Sequence, residues 1–122
     1  MQSRGGALSI AYAGEHNDQV KGVINFVGGW SGELCESAED INHNIFKRGG
    51  EYKGDTLWLY GQQDVFYSIE HSRGNFDVFK TAGGMGEFFD YKIRGENNGH
   101  WLMFIPPLWE AQVKQYLSNI DG

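Results

Sequence analysis

The chain has 122 residues, 40% hydrophobic and 21% charged, a make-up that fits one folded domain and excludes a disordered or collagen-like chain. Its net charge is −6 and its Lys and Arg residues are scattered, so no basic surface for nucleic acid is expected. No apolar run approaches the roughly 20 residues that cross a bilayer, so no membrane partner is expected either.

The single cysteine, Cys35, cannot close an internal disulfide and implies no redox compartment. The opening stretch imitates a signal peptide at Ala11-Tyr12-Ala13, but its apolar part from Ala7 to Ala13 is short and interrupted by Ser9 and Tyr12. Ala7, Ile10, Ala11 and Gly14 instead recur at helical spacing, which predicts a helix over residues 4–15 with small residues on one face. Gly22 to Val27 is β-branched and nearly continuously apolar, the signature of a strand buried on both faces, and Gly28-Gly29 closes it. Ser37 opens a second helix in a capping-box-like Ser37-Ala38-Glu39-Asp40, with Ala38, Ile41 and Ile45 on one face and Gly49-Gly50 as the stop. Thr56 to Tyr60 is the second buried strand, closed by Gly61. Residues 66–82 read as a helix despite Gly74, and Phe88 to Ile93 as the third strand. Pro106-Pro107 starts a last helix whose apolar stripe is Trp109, Val113, Tyr116, Leu117 and Ile120. Strands separated by helices call for a parallel sheet with right-handed crossovers, so the fold class is α/β.

Sites in such sheets form beyond the carboxyl ends of the strands. Three polar stations stand near those ends. Gln2-Ser3-Arg4-Gly5-Gly6 leads into the first helix, Asp64 lies four residues after the second strand, and His100 follows the third in Gly99-His100-Trp101. Serine, acid and histidine occur in that order.

On these residues the chain resembles the α/β-hydrolase family, whose nucleophile elbow reads G-x-S-x-G and whose chain order is Ser, Asp or Glu, His. Met1 stands where the family has the first glycine. Within the family, Ser3-Arg4-Gly5-Gly6, Tyr60-Gly61-Gln62-Gln63-Asp64 and Gly99-His100-Trp101 look most like the dienelactone hydrolase-related serine esterases. The resemblance runs over residues 1–122 as a single, incomplete domain corresponding to the carboxyl-terminal half of a family member, from nucleophile elbow to final helix. It implies a partial three-layer α/β/α fold with a short parallel sheet of about three strands.

The resemblance also implies roles. Ser3 is the nucleophile, His100 the base and Asp64 the acid, with the Arg4 backbone N–H as one oxyanion donor. The second donor belongs to a loop before Met1. A serine hydroxyl is a weak nucleophile at neutral pH, so it needs a base, and histidine titrates in the right range. The acid holds the imidazole tautomer and stabilises the imidazolium. Glu33, after the first strand, is the alternative acid. Trp30 and Trp101 flank the site and suit the walls of an acyl or alcohol pocket. The expected substrate is a small-molecule ester or similar acyl compound, and no metal or organic cofactor is needed.

Other clusters carry less. His16, His43 and His71 have no metal-ligand spacing, and Gly83-Gly84-Met85-Gly86 lacks the strand before it and the Lys-Ser/Thr after it of a phosphate loop. Trp58 and Trp109 fall on core faces. Two alternatives to an esterase stay open: a non-catalytic fragment of such a hydrolase, and part of a prolyl oligopeptidase-like peptidase. The resemblance further places a missing strand beside Gly22 to Val27. That edge is expected to pair with a missing amino-terminal half or to self-associate, and the isolated chain to hydrolyse an ester no faster than its Ser3→Ala variant.

Overall fold

A computed structural model describes residues 4–29, 38–64, 68–93 and 99–121 of the chain. Its elements run α1 (Arg4–Glu15), β1 (Val23–Phe26), α2 (Ala38–Gly49), β2 (Asp55–Gly61), α3 (Ile69–Thr81), β3 (Met85–Tyr91), the 3-10 helix η1 (Gly99–Phe104) and α4 (Pro106–Asp121). The three strands are parallel in the order β1-β2-β3, with Phe26 opposite Leu59 and Tyr60 opposite Asp90.

β2 is the centre because both its faces are apolar. From Thr56 to Gly61 every residue is buried. Trp58 faces the α2–α3 side, where its ring meets Phe46, Phe76 and Phe79 at centroid distances of 5.0–5.1 Å. Its indole N–H donates to Thr56 Oγ1 at 2.9 Å, and that hydroxyl donates to the Met85 carbonyl at 2.7 Å, so the buried polar atoms are satisfied. α1, α2 and α3 lie side by side, and α4 packs against β2 and η1. On the α4 side Phe26 meets the Trp109 ring edge-on at 4.8 Å.

α1 approaches α2 closely because Gly14 and Gly49 carry no side chain: a Cβ on Gly14 would stand 3.0 Å from Gly49 Cα. Tyr116 ties α4 to the amino ends of two strands. Its hydroxyl donates to the Asp55 carbonyl at 2.7 Å and accepts from the Val23 N–H at 2.9 Å. Burial pushes its phenol up to about 12.

Three details depart from the pattern reading. β3 begins at Met85, three residues before the apolar run, and is only partly buried. As the last strand in the sheet among the described residues it alternates sides rather than hiding both. In α2 the side chains of Asn42 and Phe46 are buried, while Ile41 and Ile45 are half-buried. Asn42 turns inward because its Nδ2 donates to His71 Nε2 of α3 at 2.8 Å. Leu117, expected in the α4 stripe, is 43% exposed, since Tyr116 takes the inward place.

Candidate functional site

The carboxyl end of β2 runs out through Gly61, Gln62 and Gln63 to Asp64, and the chain returns to the same place at η1. The two segments meet backbone to backbone. The Gly99 N–H donates to the Gln63 carbonyl at 2.9 Å. A Cβ on Gly61 would lie 2.6 Å from the Gly99 carbonyl carbon, and a Cβ on Gly99 would lie 2.6 Å from Gln63 C. No side chain fits between them, so both positions require glycine.

This approach sets the next residue, His100, against Asp64. His100 Nδ1 stands 2.8 Å from Asp64 Oδ2. The Asp64 side chain is 1% exposed and that of His100 is 11% exposed, so the pair is shielded from water. The carboxylate at Nδ1 favours the tautomer with its proton there, which makes Nε2 the basic nitrogen of the ring. An acid–imidazole pair of this kind can orient and charge-stabilise a general base.

Just before the exit of β2, side-chain hydrogen bonds tie that strand to the end of β1. Tyr60 Oη donates to the Gly28 carbonyl at 2.6 Å and accepts from Asn25 Nδ2 at 3.1 Å. These bonds hold the exit of β1, where Val27 is fully buried with φ 46°. A β-branched residue adopts positive φ only under constraint from its surroundings, and such strain gathers near functional sites. On the far side, Asp90 accepts from Gln62 and pairs with Arg73, whose guanidinium stacks 4.9 Å over Phe88.

Of the residues singled out from sequence, Asp64 and His100 are brought together. Arg4 begins α1 and its side chain is exposed. Trp101 is 52% exposed on η1, its ring 6.4 Å from the His100 ring, so it stands at the rim and not inside a closed pocket. Ser3, Trp30, the alternative acid Glu33 and Cys35 lie outside the described residues. Clefts elsewhere are unrelated to the pair. One of about 260 Å³ lies between α4 and the amino end of β2, lined by Asp55, Leu57, Phe89 and Tyr116. Among the described residues no group of three or more His, Cys, Asp or Glu side chains is placed to hold a metal ion.

The roles of Gly61, Gly99, Asn25 and Tyr60 escaped the pattern reading. Asn25 did leave a signal, a polar residue inside an apolar strand, which must find a partner once buried.

No protein-family model matches the sequence, and no curated protein sequence matches it. Among solved structures, a single-site variant of SOBER1 from Arabidopsis thaliana is similar, with 23% sequence identity and a TM-score of 0.58 over 95% of this chain. The match spans 50% of the SOBER1 chain, so the present chain corresponds to about half its length. The helix layers, the parallel three-stranded sheet and this likeness together make the architecture a partial α/β fold of the kind found in about half of SOBER1.

Proposed function

We propose that the chain carries the acid and base of a serine hydrolase acting on a carboxylic ester or similar acyl bond, in the manner of the dienelactone hydrolase-related esterases. The observation that supports this most is the buried 2.8 Å contact between Asp64 and His100 beyond the carboxyl end of β2, on a hydrolase-like fold. In this reading Ser3 Oγ attacks the carbonyl carbon while His100 Nε2 removes its proton. The Arg4 N–H steadies the oxyanion. His100 then returns the proton to the leaving alcohol, and a water molecule deprotonated by His100 hydrolyses the acyl-enzyme. Asp64 keeps the imidazole oriented throughout.

Asp64→Asn tests the assignment of the acid. It preserves shape but cannot fix the tautomer, and in a complete relative carrying this half the loss in turnover of a p-nitrophenyl ester should approach about 10⁴-fold. A surface change such as Asp18→Asn should leave the rate alone. A rate for Asp64→Asn within about tenfold of the parent would remove Asp64 from the role.

A further inference from the structure

Asn25 shares a face of β1 with Val23 and stands opposite Trp58 in the register, so it points into the helix layer that Trp58 faces. An apolar side chain is the ordinary occupant of such a place. Asn25 is instead fully buried there, and its Oδ1 finds no donor among the described residues, which leaves a desolvated acceptor unpaired. Two residues on, Val27 takes its positive φ, and Gly28 admits no side chain. Unfavourable features crowded into one short stretch mark a place where function constrains the chain.

The contacts show what this asparagine joins. Its Nδ2 donates to Tyr60 Oη, and that hydroxyl donates to the Gly28 carbonyl, so the side chain is fastened to β2 four residues before Asp64. Its oxygen lies against Gly28 and the first turn of α1: a Cβ on Gly28 would run into Asn25 Oδ1 and stand 2.9 Å from Ala7 N. Ala7 is 1% exposed, so this side of the turn is closed. α1 begins at Arg4, the residue after Ser3, while β2 leads to Asp64 and its contact with His100. Asn25 and Tyr60 bridge these two elements.

We infer that Asn25, held by Tyr60, is a positioning residue that sets the start of α1, and with it Ser3, against His100. The inference rests on the hydrolase reading and adds a residue to it. Asn25 is fully buried, so no substrate reaches it, and its role is distance. Without its amide the first turn of α1 loses a tie to β2. Asp64 and His100 keep theirs, because the Gly99 N–H bond to the Gln63 carbonyl is made elsewhere. A nucleophile displaced by about 1 Å reacts about 100-fold more slowly. The basicity of His100, set by Asp64, is untouched.

Asn25→Ala and Tyr60→Phe are compared with the parent for fluorophosphonate labelling of Ser3 across pH and for amide hydrogen exchange in α1. Tyr60→Phe keeps the ring that stacks on Phe88 at 4.9 Å, so it serves even if the alanine variant fails to fold. Each variant should label about 100-fold more slowly at the plateau of the pH profile, with the midpoint unmoved. The Leu8 and Ser9 amides, which close the first turns of α1, should exchange about tenfold faster. Both substitutions together should act no worse than one, because each breaks the same link. Asp64→Asn, which removes the tie on His100, should move the midpoint. Asn75→Ala, at another buried asparagine with unpartnered amide atoms, should change labelling less than about twofold. Parental labelling rates in Asn25→Ala and Tyr60→Phe, unchanged exchange in α1, or a slower plateau with a shifted midpoint would each overturn the positioning role and leave the hydrolase reading standing. Absence of Ser3 labelling in the parent would remove both.

Discussion

Replacing Gly99 by alanine adds one methyl group where the two loops of the site touch. The new Cβ would sit 2.6 Å from Gln63 C and 2.8 Å from Gln63 N, against 3.4 Å for ordinary contact. The obstacle is backbone, so no side-chain rotation relieves it. The two loops must separate by roughly 1 Å, which in a packed site costs about 1–3 kcal/mol. His100 follows immediately, and its 2.8 Å contact with Asp64 would open to about 3.8 Å, outside hydrogen-bond range. A misplacement of this size lowers turnover about 100-fold. Gly74→Ala is the matched control. It lies inside α3 with nothing within 4 Å of the added Cβ, so helix propensity should raise stability by about 0.5–1 kcal/mol. Chemical denaturation measures both, and the Nδ1 proton resonance of His100 reports the contact directly. Equal stability for Gly99→Ala and its parent, with that resonance unchanged, would refute the close-packing account.

Further outcomes concern stability and assembly. Tyr116→Phe leaves the Val23 N–H and the Asp55 carbonyl without their shared hydroxyl and should cost roughly 1–3 kcal/mol in denaturation midpoints. Burial, the largest influence on Tyr116, favours its neutral form and raises it from 10.0 to about 12. Its contribution is therefore complete below pH 10 and lost as pH climbs through about 12, a decline that Tyr116→Phe should lack. Tyr12 and Leu117 are 49% and 43% exposed on a groove of about 470 Å³ along the β1 flank. We propose that this flank drives self-association, so that Leu117→Lys should shift sedimentation toward monomer and an unchanged profile would exclude the groove.

The legible part of this fold is the part governed by local chemistry. The apolar runs around Ile24 and Leu57 marked strands, Pro106 and Gly49 marked helix limits, and the bounds found for α1 are those its small-residue spacing predicts. β3 was misplaced at its start because Met85, Gly86 and Glu87 owe their extended conformation to pairing with Asp55, Thr56 and Leu57, not to their own preferences. For the same reason η1 was invisible: Trp101 to Phe104 looks like a strand or pocket lining until Leu102 is fixed by Trp109. Asp64 and His100 were legible from chain order and resemblance. Gly61 and Gly99 carried no such mark, since a glycine required by a neighbour 38 residues away looks like any loop glycine.

The central claim is that His100, oriented by Asp64, activates Ser3. A fluorophosphonate probe tests it most directly, because irreversible labelling accumulates even where turnover is slow. The chain is incubated with the probe and the modified peptide identified by mass spectrometry. Modification of Ser3 is predicted, abolished in Ser3→Ala and His100→Asn and slowed by orders of magnitude in Asp64→Asn. Labelling at a different residue, or at Ser3 with undiminished rate in His100→Asn, would contradict it.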